Sequence, residues 1–192
     1  PELPRITLEE AHAPKSLIGP ILSVSGKRFN WWLDHADQLA SFGLMLRDRS
    51  KGSLREVNDH LWINYKLHPD DARDMGAEIL LIAEAFFAAG AKRVLLPLTG
   101  KHQKEFSSLQ ELNELKPEHF HPKSMTISGF HPQGTAGMGR VVDTNLKLIG
   151  SERIFVCDAS VFPDSPGVNP QITIMALSLR LADKLSRKGL DH

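Results

Sequence analysis

The sequence predicts an α+β fold, and three stretches carry that expectation. Ser53–Val57 and Leu61–Leu67 alternate apolar with polar residues on either side of Asn58-Asp59, the pattern of two strands joined by a tight turn. After His68-Pro69-Asp70-Asp71 the period changes. Met75, Ile79, Ile82 and Phe86 recur at helical spacing, Asp70 or Asp71 is available as N-cap, and Gly90 stands near the end. Pro170 to about Lys188 reads as a second long helix, apolar nearly all round as far as Leu181, so its first two turns are expected to be buried.

The remaining elements follow in order. Residues 1–30 are rich in Pro, Gly and Ser and read as extended or irregular connection. Trp31, Trp32, Leu33, Ala36, Leu39 and Ala40 suggest a short helix within Asn30–Leu44. Phe42–Asp48 reads as a strand closed by Arg49-Ser50-Lys51-Gly52, which makes an antiparallel meander with the next two strands. Lys92–Pro97 is expected as a short strand. Residues 100–123 form a long polar stretch with one helical turn near 107–112, of the kind that borders an entrance to a site. Ser124–Gly129 reads as a strand that delivers His131. Val141–Asp143 and Leu146–Leu148 flank a turn. Ile154-Phe155-Val156-Cys157 is an uninterrupted apolar run, as in strands buried on both faces of a parallel sheet. Such a strand needs parallel neighbours that the sequence does not offer, so the fold is expected to be incomplete in itself. Two regions are expected, 1–129 and 130–192.

Composition narrows the function classes. With 23 basic and 23 acidic residues and no basic block, the chain has no electrostatic footprint for nucleic acid. No apolar run reaches the roughly 20 residues of a membrane span. The first residues, Pro-Glu-Leu-Pro-Arg, do not read as a signal peptide and lack an initiator Met, so the chain is expected to be processed or truncated. A single cysteine, Cys157, excludes an internal disulfide and suits a reducing compartment such as the cytoplasm.

Chemistry concentrates between Phe130 and Thr173. His131 stands before Pro132, beside a glycine-rich loop, and imidazole is the side chain best matched to general-base work near neutrality. The plainer reading is a loop histidine bonded to a backbone carbonyl. Asn169-Pro170 opens the last helix, with Asn suited to N-cap and Pro to the first helical position. The amides of Gln171 and Ile172 at that positive helix end would accept a developing negative charge. Asp158, in the loop after the apolar run, is a candidate for a ribityl or ribose hydroxyl, or simply a turn cap. Gly134, Gly137 and Gly139 do not match a nucleotide fingerprint and are expected to serve close backbone packing. His119 and His121, with His131, raise a metal site only weakly, because no cysteine or carboxylate spacing supports it.

Together these residues resemble the C-terminal part of the glucose–methanol–choline (GMC) family of flavoprotein oxidoreductases. The resemblance rests on His131-Pro132-x-Gly134-Thr135 with Met138-Gly139, Val142-Asp143, Leu146 with Gly150, Phe155-Val156-x-Asp158-Ala159-Ser160, Pro163, and Asn169-Pro170-x-x-Thr173. It implies an antiparallel-sheet substrate-binding domain with helices over 1–129. It also implies, over 130–192, a catalytic loop with the strand and helix that return to complete an FAD-binding α/β domain. His131 would take the proton of a small-molecule alcohol while hydride passes to flavin N5. Asn169 would bond the substrate oxygen, and Asp158, Ala159, Asn169, Pro170, Gln171 and Thr173 would approach the FAD. The Gly-x-Gly-x-x-Gly segment with which members begin is absent here, so an N-terminal FAD-binding half is expected in cis or in trans. Two rivals stand beside this reading: a non-catalytic piece that keeps the fold without holding flavin, and a hydrolase using His131 with Ser160 or Ser165. Phe29, Trp31, Trp32 and Phe130 hint at an apolar substrate.

Overall fold

The computed structural model describes residues 5–11 and 15–189. The chain forms two compact units that divide between Ile127 and Ser128. The parts of the expected N-terminal connection at residues 1–4 and 12–14 lie outside the described residues. The architecture is α+β, with small antiparallel ladders and helices.

In the first unit the opening residues are not an irregular connection. Strand β1 (Ile6–Glu10) pairs antiparallel with β2 (Phe42–Leu46), Ile6 opposite Leu46 and Glu10 opposite Phe42. Two short helices, α1 (Lys15–Ile21) and α2 (Gly26–Asp34), lie between them in sequence. The partner that makes β1 a strand is remote in the chain, and local Pro and Gly content says nothing about it. Trp32 of α2 is buried, and its indole N–H donates to Glu105 Oε1 at 3.2 Å. Arg28 and Arg93 reach the same carboxylate, and Arg93 also lies over the Trp31 ring.

Strands β3 (Ser53–Val57) and β4 (His60–Asn64) form a hairpin with Val57 opposite His60. Asn58 and Asp59 both adopt positive φ, the geometry of a type I′ turn. The expected meander does not form, because β2 pairs with β1 and the hairpin is a separate two-stranded ladder. Between β2 and β3 the Arg49 amide donates to Asp71 Oδ2 at 2.8 Å.

Helix α3 (Pro69–Ala88) is capped by His68, whose Nδ1 accepts from the Asp70 amide, rather than by Asp70 or Asp71. Asp71 is buried and takes a different task. Its carboxylate accepts from Arg5 Nη2 at 2.6 Å, from the Arg49 amide and from the Arg49 guanidinium. The buried stripe of α3 is Ala72, Gly76, Ile79 and Ala83, with Met75 and Phe86 beside it. Small residues dominate this face because Phe120 lies directly on Gly76.

The segment 100–123 is not a structureless loop. It contains β6 (Glu105–Phe106), paired with β5 (Val94–Leu95), and α4 (Leu109–Leu112), capped by Ser108 Oγ. Phe106, Leu112, Leu115 and Phe120 supply a large part of the core, together with Leu67, Leu96, Leu98 and Met125. Ser124–Gly129 is not a strand, since only Met125 bridges, to Leu98.

The second unit has a small core of Val142, Leu146 and Val161, against which Met138, Val156, Leu177 and Leu181 pack. The run 154–157 is not a doubly buried strand. It makes one antiparallel bridge, Lys147 to Phe155, and Ile154 is half exposed. The last helix, α5 (Gln171–Gly189), does not bury its first two turns: Ile172 is 80% and Met175 53% exposed. Within the unit Leu177 and Leu181 pack against the core.

Two outcomes test the core. A Cβ at Gly76 would lie 2.5 Å from Phe120 Cγ, so Gly76→Ala should cost about 1–3 kcal/mol in a urea unfolding curve. Burial by itself would raise the Asp71 pKa, but the Arg49 amide and the Arg5 and Arg49 guanidiniums outweigh it and hold the carboxyl below its ordinary value. The contribution of this network is therefore complete above the unfolded carboxylate pKa of about 4 and is lost as pH falls through the lower folded value. Asp71→Asn should lower stability by roughly 3 kcal/mol at neutral pH. It should also flatten the loss of stability toward acid, measured as the urea midpoint against pH.

Candidate active site

His131 lies in an exposed bend, preceded by irregular backbone and by Phe130, itself 78% exposed. The loop that follows turns on Gly134 and Gly139, both at positive φ. These two glycines thus serve backbone conformation and not close packing, since an added Cβ would meet nothing within 4 Å at Gly139 and only Phe162 O at 3.8 Å at Gly134. Two backbone bonds then fasten the loop to the turn after Asp158: the Ala136 amide to Ser160 O at 3.0 Å and the Met138 amide to Val161 O at 2.8 Å. A third runs from the Gly139 amide to Val142 O at 2.8 Å. Val161 is fully buried, so this junction is anchored in the small core and the His131 loop leaves it at a fixed place.

The next turn is organised by Asp143. Its Oδ1 accepts from the Asn145 and Lys147 amides at 2.8 and 2.9 Å, and the Lys147 amide contributes most to holding this carboxyl below its usual value. Leu146, at positive φ, is turned into the core. Asp158 is exposed, and its Oδ1 accepts from the Ser160 amide at 2.8 Å. The turn-capping alternative for Asp158 is thus realised, and its other oxygen is not engaged by that bond. Ala159 begins the short 3-10 turn and is partly buried.

At the start of α5 the Ile174 amide donates to the carbonyl of Pro170. Pro170 therefore occupies the capping position and Asn169 the one before it, one place earlier than the sequence suggested. Pro170 is buried, whereas Asn169, Gln171 and Thr173 are exposed. The amides of Gln171, Ile172 and Thr173 precede the first intrahelical bond and stand at the positive end of a 19-residue helix. Further along, Ser178 Oγ lies 3.3 Å from Cys157 Sγ, which ties α5 to the segment leading to Asp158. The unit thus joins the His131 loop, the Asp158–Val161 turn and the last helix through one core.

Sequence reasoning missed Gln133, whose side-chain oxygen is buried and accepts no hydrogen bond among the described residues. Its place between His131 and the glycines was the available signal. The metal alternative gains nothing. His119 and His121 belong to the first unit, and no group of three or more possible ligands occurs among the described residues. The hydrolase alternative also lacks geometry, because His131 makes no hydrogen bond with Ser160 or Ser165 among the described residues. No helix among those residues is long and apolar enough to cross a membrane.

The family model for the C-terminal domain of GMC oxidoreductases matches residues 48–178. The chain belongs to the GMC oxidoreductase family. An uncharacterized GMC-type oxidoreductase of Mycobacterium tuberculosis is 34% identical over 188 residues, covering 95% of this chain and 29% of that protein. A long-chain-alcohol oxidase of Arabidopsis thaliana is 28% identical over 176 residues, covering 80% of this chain and 22% of that protein. A putative truncated GMC-type inactive oxidoreductase of Acanthamoeba polyphaga mimivirus is 44% identical over 59 residues, 30% of this chain and 73% of that protein. No solved structure matches. The chain spans under a third of the length of the mycobacterial relative.

The junction itself can be tested. Leu146 is 2% exposed, and Leu146→Ala should cost about 2–4 kcal/mol. Hydrogen exchange should show the Ala136 and Met138 amides losing protection in that variant.

Proposed function

We propose that the chain is the C-terminal part of an FAD-dependent enzyme that oxidises an alcohol to a carbonyl compound. The observation that carries the reading is the joining of the His131 loop to the Asp158–Val161 turn and α5 in a member of the GMC family. In this reading residues up to 129 bind the substrate. Residues 130–192 supply the catalytic loop and return to an FAD-binding domain whose other part is provided in cis or in trans. The exposed apolar residues Ile172 and Leu179 of α5 support such a return, since a helix of this composition is normally covered.

The residues present fit the cofactor on two counts. Gln133 Oε1 is a buried acceptor suited to a group that brings hydroxyl or N–H donors. The amides of Gln171, Ile172 and Thr173 offer the positive end of a helix to a ring that becomes more negative on reduction. Asp158 and Ala159 would hold the ribityl and pyrophosphate portions, and Asn169, Pro170, Gln171 and Thr173 the ring edge. When bound, the flavin supplies the acceptor for the hydride that leaves the alcohol carbon.

The chain's own residues perform the proton work. The imidazole of His131, presented in an exposed bend and not hydrogen-bonded among the described residues, takes the hydroxyl proton. The Asn169 side chain bonds the substrate oxygen and fixes the carbinol carbon. A neutral imidazole is required for this step, so the rate falls at acid pH. The mimivirus relative favours a second reading, a fold-retaining piece without catalysis.

In protein that includes an FAD-binding half, His131→Ala should slow anaerobic flavin reduction by an alcohol about 10²–10⁴-fold. Flavin content should be unchanged, and the acid limb of the pH profile should disappear. Near-normal reduction by that variant would sink the assignment of His131. Flavin binding without any reduction by alcohols in the unaltered protein would favour the second reading.

A further inference from the structure

The proton and hydride steps make no use of Gln133. Its side chain is partly buried, and its Oε1 is enclosed without a hydrogen bond from any described residue. No other enclosed side-chain nitrogen or oxygen among the described residues is in that state. Nearby acceptors are treated differently. Asp143 Oδ1 receives two amides and Asp158 Oδ1 receives one. An enclosed acceptor with no donor carries its full desolvation cost, whereas an apolar side chain of similar size fills the same space without it. A carboxamide at this position therefore works against the stability of the chain taken by itself.

The position of Gln133 indicates which donor answers it. Gly134 follows directly, turns at positive φ, and would bring an added Cβ within 3.8 Å of Phe162 O. Two residues further on, the Ala136 amide donates to Ser160 O at 3.0 Å. Gln133 thus stands where the loop runs onto the turn that begins at Asp158. Asp158 adds a carboxylate to that turn, with one oxygen taken by the Ser160 amide and the other outside that bond. This part of the unit offers acceptors. The start of α5 is the opposite case, because the amides of Gln171, Ile172 and Thr173 offer donors. A polyol brings a row of hydroxyl donors and matches the first. A ring edge with carbonyl oxygens matches the second.

We infer that Gln133 is a cofactor-binding residue whose Oε1 accepts a hydrogen bond from a ribityl hydroxyl of the flavin. The inference rests on the flavin reading above and adds a residue to it. It also fixes the sign of two effects. Replacing the carboxamide by an apolar side chain removes an unanswered acceptor from the protein without cofactor, and removes a hydrogen bond from the protein with it.

The test compares Gln133→Met and Gln133→Leu with the unaltered protein by thermal unfolding. It is run on the 192-residue chain and on protein that includes an FAD-binding half, the latter with and without FAD. Without FAD both variants should unfold at or above the midpoint of the unaltered protein. With saturating FAD the order should reverse, and FAD affinity should fall about three- to tenfold. Variants that unfold earlier in the 192-residue chain overturn the inference, because the oxygen then has a donor, water included, before any cofactor arrives. Variants that unfold earlier only once the FAD-binding half is present, still without FAD, overturn it by assigning the donor to that polypeptide. Unchanged FAD affinity with a raised KM for the alcohol overturns it by assigning the donor to the substrate. In these three outcomes the unaltered protein still binds FAD and the flavin reading stands. An unaltered protein with its FAD-binding half that gains no stability from FAD overturns both.

Discussion

The buried carboxylate of Asp71 is the constraint from which the larger unit is assembled. Three donors converge on it from two remote stretches, Arg5 at the head of β1 and Arg49 in the turn after β2, while Asp71 itself belongs to the first turn of α3. Removing an ion pair from water costs several kcal/mol, so such a contact adds little net stability. It does fix which segments meet. Once β1 and β2 are docked at the start of α3, the small-residue stripe of that helix faces inward, and Gly76 admits Phe120 to van der Waals contact. Phe120 in turn seats the 116–124 segment on the core.

The smaller unit is built on a different balance. Its central cluster is Val142, Leu146 and Val161, and much of its order comes from main-chain bonds between loops, Ala136 to Ser160 and Met138 to Val161 among them. Asp143 adds two amide bonds to one side-chain oxygen. Such an arrangement holds a bend like that of His131 in place without needing large apolar side chains around it. Glycine serves where the backbone requires positive φ, at Gly134 and Gly139.

What could be read from the sequence follows from where the determining interactions lie. The β3–β4 hairpin was legible because Asn58-Asp59 supplies its own turn geometry, and α3 because its period and first-turn acids are local. β1 was not, since only its ladder with β2 makes it a strand. His68 as cap escaped notice because the two following aspartates matched the usual preference better. The stripe on α3 was legible in its bulky members, since Ile79 is buried and Met75 and Phe86 pack against the core, but not in its small ones, because contact with Phe120 is what selects Gly76. In the candidate site the residue types of His131, Asp158 and Asn169 drew attention, but the bonds that gather the first two segments are backbone to backbone and leave no mark on composition. Burial expected for Ile154–Cys157 and the first turns of α5 presumed covering elements that this chain does not provide within the unit.

The β3–β4 hairpin has a practical bearing on the isolated chain. All ten of its strand residues are exposed, Leu61, Trp62 and Ile63 by 64–71%, and a two-stranded ribbon leaves an unpaired row of amides and carbonyls along each edge. An exposed apolar edge is a template on which further copies can add strand by strand. Arg55 and Glu56, with Lys51 and Lys66 just outside the strands, are the charged residues positioned to oppose such stacking. Because their signs are mixed and the chain's net charge is zero, long-range repulsion between molecules is weak. The ribbon is thus an adhesive edge whose exposure does not depend on the stability of the folded core.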